Sequence, residues 1–365
     1  MRFYFPFLLL LFFVIQINGQ QNALTNEAIW DFEFSQETLE SIHPLKSQSA
    51  YTVIKVDYDT RQSKIVLYDY ATAKELAVLV DSSTSAQIPF FTAYYFSEDE
   101  QKILLETAVE PIYRRSKRAE YWILDRNTKK LDYLFGGKVQ EPRFSPDGSK
   151  VAFVHQRDLY IKNLVNNSIE QVTTSGSKHI INGLTDWVYE EEFGFVRAFD
   201  WNATGTAIAF MQFDETDVPE FSMDIYGDQL YQFPYTFKYP KAGEKNASVS
   251  LHLYKLDNKE TTKIELGEQQ PYYIPRFEFA PEENRLVVQT VNRLQNELIL
   301  WEYVTTSGVA KKLVQETSDT YVDVHSNLRF LDKGDFIWTS ERDGFNHIYH
   351  YNADGSLKKQ ITKGP

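Results

Sequence analysis

Residues 143–155 read RFSPDGSKVAFVH, and the fold follows from what this unit is. Asp147-Gly148 is a hairpin step, because both residue types tolerate the positive φ that tight turns demand. Val151 to Val154 is too short for a helix, and its β-branched and aromatic side chains suit a buried strand. The same order of aromatic, polar turn and apolar strand recurs in both directions along the chain. It opens at Tyr95 (YFSEDEQKILLET), Asp200 (DWNATGTAIAFMQ), Phe277 (FEFAPEENRLVVQ) and Leu328 (LRFLDKGDFIWTS). Each unit runs on into a partner strand: EYWILDRNTKKL, DLYIKNLVNNSI, LHLYKLDNKETT, ELILWEYVTTSG and HIYHYNADGSLKK. The stretch YTVIKVDYDTRQSKIVLYDYATAKEL from Tyr51 matches the second half of the scheme.

With Phe96, Phe144, Trp201, Phe279 and Phe330 as anchors, the units are spaced 48, 57, 78 and 51 residues apart. Antiparallel units of this size predict an all-β chain, a β-propeller of four-stranded blades with about six present. The two longer intervals predict insertions. One holds DWVYEEEFGF (186–195); the other, about 215–245, is rich in Tyr, Phe and Pro. The sequence stops at Gly364-Pro365, just after a blade strand and with no sign of ring closure. An open ring exposes unpaired strand edges, so the reading is of the front part of a longer protein, with about eight blades when complete.

Among 365 residues, 42% are hydrophobic and 15% aromatic, and the net charge is −13. That balance argues against nucleic acid, whose phosphates call for a basic face. The opening MRFYFPFLLLLFFVIQINGQ has one basic residue, Arg2, and then an apolar run from Phe3 to Ile17. This is short for a bilayer span, which needs about 20 residues. It reads as a signal peptide over 1–19, with an uncleaved anchor as the alternative. The expected organisation is therefore signal peptide 1–19, lead-in 20–50 and propeller 51–365. Membrane contact is expected only through the signal, and the destination is the periplasm or the exterior. The chain has no Cys, so export implies no disulfides here.

Catalytic apparatus is not legible: there is no GxSxG elbow and no defensible Ser/His/Asp order. His347 and His350 stand three apart on a predicted strand and face opposite ways, so a shared metal ion is not expected. No phosphate-cradling loop or other cofactor motif is present. The acidic triplet Glu190-Glu191-Glu192 has two readings. Asp186 can cap a short helix whose opening turns carry the glutamates, solvated and favoured by the helix dipole. Alternatively, two of the carboxylates converge on one ammonium, with the neighbouring aromatics excluding water.

The segments DWVYEEE, MQFDETDVPEF and QFPYTFKYPKAGEKNASVSLHLYKL resemble the N-terminal propeller of the dipeptidyl peptidase IV family, and FSPDG and TSERDGFNHIY fit the same group. The resemblance runs from about Asp31 to Pro365. It implies that Glu191 and Glu192 hold the free N-terminus of a peptide substrate, with Glu190 structural. It implies that Arg114, in IYRRSKRAEYWILD, grips a substrate carbonyl oxygen; Arg115, one residue on, is the alternative. The 215–245 insertion resembles an arm used in homodimerisation, or else covers a blade edge. The implied activity is release of X-Pro or X-Ala dipeptides by a serine peptidase whose triad lies in an α/β-hydrolase domain, which this sequence does not contain. A non-catalytic, peptide-binding propeller is the alternative.

Overall fold

The computed structural model describes residues 24–36, 42–85, 87–267, 272–282 and 284–365. The chain forms two compact units, Met1–Ile42 and His43–Pro365. In the first, a short helix spans Asn26–Trp30, and Thr25 Oγ1 caps it by accepting from the Ala28 N–H at 3.1 Å. The expected signal peptide, 1–19, lies outside the described residues.

From Ile42 onward the chain forms antiparallel sheets that follow one another in sequence, spanning 42–81, 93–133, 140–171, 180–264, 273–317 and 329–360. Among the described residues each has four strands, except the fourth, which has five; a separate two-stranded ribbon pairs Glu220–Ile225 with Phe233–Lys238. The opening strand of the first sheet is Ile42–Pro44, inside the stretch expected to be lead-in. Three residues with a single Ile carry too little alternation to read as a strand.

The FSPDG unit shows why these sheets form. Strand Gln140–Phe144 ends at Ser145, and strand Lys150–His155 begins five residues later. Ser145 closes the turn twice: its N–H donates to Lys150 O at 2.9 Å, and its Oγ accepts from the Lys150 N–H at 3.0 Å. Gly148 sits at φ 63°, where a side chain is strained. A Cβ there would also meet Ser97 Cβ, in the matching turn of the preceding sheet, at 3.6 Å. Gly205 repeats the arrangement one sheet later, 3.4 Å from Ser145 Cβ. Successive sheets thus pack turn against turn, which is how a repeat of this kind propagates.

The apolar runs become the core. Val151, Ala152, Phe153 and Val154 are fully buried, as are Ile208, Ala209 and Met211. Burying a side chain such as Phe153 contributes about 1.5–3 kcal/mol.

The fourth sheet departs from the pattern, and its departure makes the site. Its edge is two short strands, Ile180–Asn182 and Phe199–Trp201, both paired to Ala207–Asp214. The residues between them leave the sheet through a closed neck: Thr185 N–H donates to Val196 O at 3.0 Å, and Ala198 N–H to Gly183 O at 3.0 Å. Immediately after Asp214 the chain leaves again to make the ribbon, returning at Ser248–Lys255. The first excursion leaves opposite Met211 and the second just past Asp214, so both spring from the Met211–Asp214 stretch of one strand. They are the two insertions expected from the long spacings.

Candidate functional site

At the tip of the first excursion the chain makes one wide helical turn, Tyr189–Phe193, ended by Gly194 at φ 73°. Asp186 caps it, Oδ1 accepting from the Tyr189 N–H at 2.9 Å. Tyr189 and Phe193 are buried, and their rings meet edge-on at 4.9 Å. Tyr189 also packs on Phe213 at 4.8 Å, and its hydroxyl accepts from the Ile274 N–H at 3.0 Å. The aromatic neighbours of the acidic triplet are therefore its anchors. They pin one face of the turn to the core and leave the carboxylates on the other.

The three glutamates have different environments. Glu190 is buried, and its Oε1 accepts from the backbone N–H groups of Arg115 and Ser116 at 2.7 and 2.8 Å. This fastens the turn to the connection between strands Lys102–Pro111 and Lys117–Asp125 of the second sheet. Glu191 is half-buried and paired with Arg114, whose Nε lies 2.8 Å from Oε1 and 3.1 Å from Oε2. Glu192 is exposed and makes no hydrogen bond or ion pair with any described residue. It borders a hollow of about 300 Å³ shared with Trp187, Lys241 and Arg293, and another of about 490 Å³ shared with Arg276, Tyr321 and Asp323.

The structure thus brings Glu191, Glu192 and Arg114 to one surface. The Arg115 side chain turns instead toward Gly194, where a Cβ would lie 3.7 Å from its guanidinium. The ribbon closes a further side: Phe237 meets Tyr113 at 6.0 Å and Trp187 at 6.3 Å, and Tyr239 meets Trp187 at 4.3 Å. Sequence reading did not assign Tyr113 or Phe237 to this site. Their only signal was the aromatic richness of the insertion.

Beneath the turn lies an acidic layer. Complete burial pushes the Asp186 carboxyl up to about 7, the Tyr189 N–H bond pulls it back, and nearby Glu215 raises it further. Glu215, also raised by burial, is held by Arg157 Nη1 at 3.1 Å. His347 and His350 go to separate partners, Thr362 and Asp335, each at 3.0 Å. Among the described residues no group of His, Cys, Asp and Glu could hold a metal.

The family model for the dipeptidyl peptidase IV (DPP IV) N-terminal region matches residues 97–365. The chain belongs to the dipeptidyl peptidase IV family. Dipeptidyl peptidase 4 of Felis catus is 30% identical over 356 residues, covering 89% of this chain and 46% of the relative. Dipeptidyl peptidase 4 of Trichophyton rubrum is 29% identical over 289 residues, covering 74% of this chain and 37% of the relative. Among solved structures, Porphyromonas gingivalis dipeptidyl peptidase 4 matches with a TM-score of 0.87 and 37% identity, over 95% of this chain and 50% of that one. The sheets described above are those of a DPP IV-type β-propeller. The chain spans about half the length of the curated relatives it matches.

Proposed function

We propose that this chain is the substrate-gating propeller of an exported serine dipeptidyl peptidase, in which Glu191 and Glu192 clamp the free ammonium of a peptide. The observation that supports it best is the division of labour in the triplet. Glu190 is spent on the backbone of 115–116, while Glu191 and Glu192 are presented beside Arg114 from a turn anchored on its other face.

A peptide α-amino group has a pKa near 8 and is mostly charged at neutral pH. Each charge-assisted bond to it is worth about 1.5–3 kcal/mol. The ammonium competes with Arg114 for Glu191, which frees the guanidinium to donate to a substrate carbonyl oxygen. With the N-terminus fixed, the bond two residues in is the one delivered to a serine nucleophile. A proline or alanine at the second position is the accepted substrate class. The Ser-Asp-His triad belongs, in this reading, to an α/β-hydrolase domain outside these residues, and no cofactor is required.

The ribbon presents Tyr226, Leu230, Tyr231 and Phe233 to solvent, a surface suited to a second copy in a homodimer. No helix among the described residues is long and apolar enough to cross a membrane. With the apolar leader over 1–19, this fits export to the periplasm or exterior.

The test uses the full-length enzyme and a Gly-Pro chromogenic substrate. Glu191→Gln and Glu192→Gln should each lower kcat/KM by about ten- to hundredfold, and an acetyl-capped peptide should resist cleavage. Unchanged rates in both variants, or equal cleavage of capped and free peptides, would remove the clamp.

A further inference from the structure

A cavity of about 720 Å³ lies among the second, third and fourth sheets and the chain entering the first. The clamp makes no use of it. Its charged wall is unevenly satisfied. Lys117, Tyr121 and Tyr95 line it but are all engaged by Glu106 behind them, which accepts from Lys117 Nζ at 2.7 Å, Tyr121 OH at 2.8 Å and Tyr95 OH at 3.2 Å. Two other pairs are stretched. Arg197 Nη1 stands 3.9 Å from Glu141 Oε2, and Arg143 Nε stands 3.5 Å from Asp200 Oδ1.

Neither the Arg197 guanidinium nor the Glu141 carboxylate makes a hydrogen bond to any described residue. Burial accordingly pushes Glu141 up and Arg197 down, each only partly relieved by the other. Glu141 also sits at φ 51°, a left-handed conformation that costs a non-glycine residue about 1–2 kcal/mol. It occupies a register shift between strands Gln140–Phe144 and Lys150–His155. There Glu141 and Arg143 line the cavity together.

We propose that this cavity binds a small zwitterion, a free amino acid or dipeptide, with its ammonium on Glu141 and its carboxylate on Arg197 and Arg143. A lone anion in the cavity faces Glu98, Glu100, Glu141 and Asp200, and a lone cation faces Lys46, Lys117 and two arginines. A ligand carrying both charges replaces a stretched pair with two sets of short charge-assisted bonds. The guanidinium fork also matches a carboxylate bidentately. The volume lies within the range of small-molecule sites, about 300–1,000 Å³. The inference does not rest on the peptidase reading, because neither Glu191 nor Glu192 lines this cavity.

The test is calorimetric titration of the purified protein carrying Glu191→Gln and Glu192→Gln together, so that the clamp cannot contribute. Free Gly-Pro should bind, while acetyl-Gly-Pro and Gly-Pro-amide should each bind at least about tenfold more weakly, the loss of one charge-assisted contact. Glu141→Gln and Arg197→Gln, checked for folding by circular dichroism, should each give a similar loss. The blocked ligands probe the unaltered wall, so the test stands even where a wall variant misfolds. The proposal is overturned by no heat with free Gly-Pro up to ~10 mM, by equal binding of blocked and free dipeptides, or by binding indifferent to both wall substitutions. Acetate or inorganic phosphate binding as tightly as Gly-Pro makes the cavity a plain anion site and also overturns it. The clamp is judged separately, by turnover.

Discussion

Glu190→Ala should destabilise the protein more than any other single change in the acidic triplet, although Glu190 touches no substrate in the proposed function. Its Oε1 accepts two short bonds, from the N–H groups of Arg115 and Ser116 at 2.7 and 2.8 Å. A hydrogen bond to a charged group is worth about 1.5–3 kcal/mol, and a buried donor left alone incurs its desolvation cost. The two together come to about 3–5 kcal/mol. Glu190→Gln keeps one acceptor oxygen but loses the charge, for about 1–2 kcal/mol. Glu191→Ala removes a pair whose side chains are 26% and 68% exposed, worth less than about 1 kcal/mol. Urea unfolding followed by tryptophan fluorescence should rank the variants in that order. Hydrogen exchange at the amides of Arg115 and Ser116 should accelerate most in Glu190→Ala, less in Glu190→Gln and not in Glu191→Ala. If Glu190→Ala unfolds at the same urea concentration as Glu191→Ala, the buried carboxylate is not the fastening it is argued to be.

Asp186 predicts a pH dependence. Its folded pKa, about 7, lies above the unfolded value near 3.9, so folding takes up a proton between them. The stability this group contributes is complete below about pH 4 and is lost as pH rises through about 7, on the order of 4 kcal/mol. Asp186→Asn should flatten that slope in thermal melts, and an unaltered slope would refute the assignment. Arg157→Ala leaves Glu215 buried without its partner and frees the carbonyls of Ser177 and Lys178. It should cost about 2–3 kcal/mol by urea unfolding, and a neutral result would show the pair to be dispensable. Trp187→Ala removes the tilted ring contacts with Tyr239 and Phe237. Limited proteolysis within 226–232 should quicken roughly tenfold; unchanged cleavage would mean that the ribbon is held elsewhere.

The fold was legible because each sheet is written locally. Ser145, Asp147 and Gly148 set a turn within five residues, and VAFV supplies a strand buried on both faces, so no distant information is needed. The first strand, Ile42–Pro44, escaped because it is short and its identity comes only from its partner. The capping role of Asp186 was visible as a polar residue ahead of a helical turn. The separate fates of Glu190, Glu191 and Glu192 were not visible. They depend on Arg115, Ser116 and Arg114, more than seventy residues earlier in the chain, and no local pattern encodes which carboxylate reaches them. The stretched pairs of Glu141 and Arg143 were hidden for the same reason, since their partners Arg197 and Asp200 come from the next sheet.

The neck at Gly183 and Ala198 has a bearing on how such a protein arises. The two residues are already hydrogen-bonded to each other, and both flank Met211 on the neighbouring strand. Everything between them can be thought of as a graft, set into a break in one edge strand whose two stumps still hold their register. Selection can reshape the exposed carboxylate face beyond the neck without disturbing the register beneath it, so long as Tyr189, Phe193 and Glu190 keep their anchors.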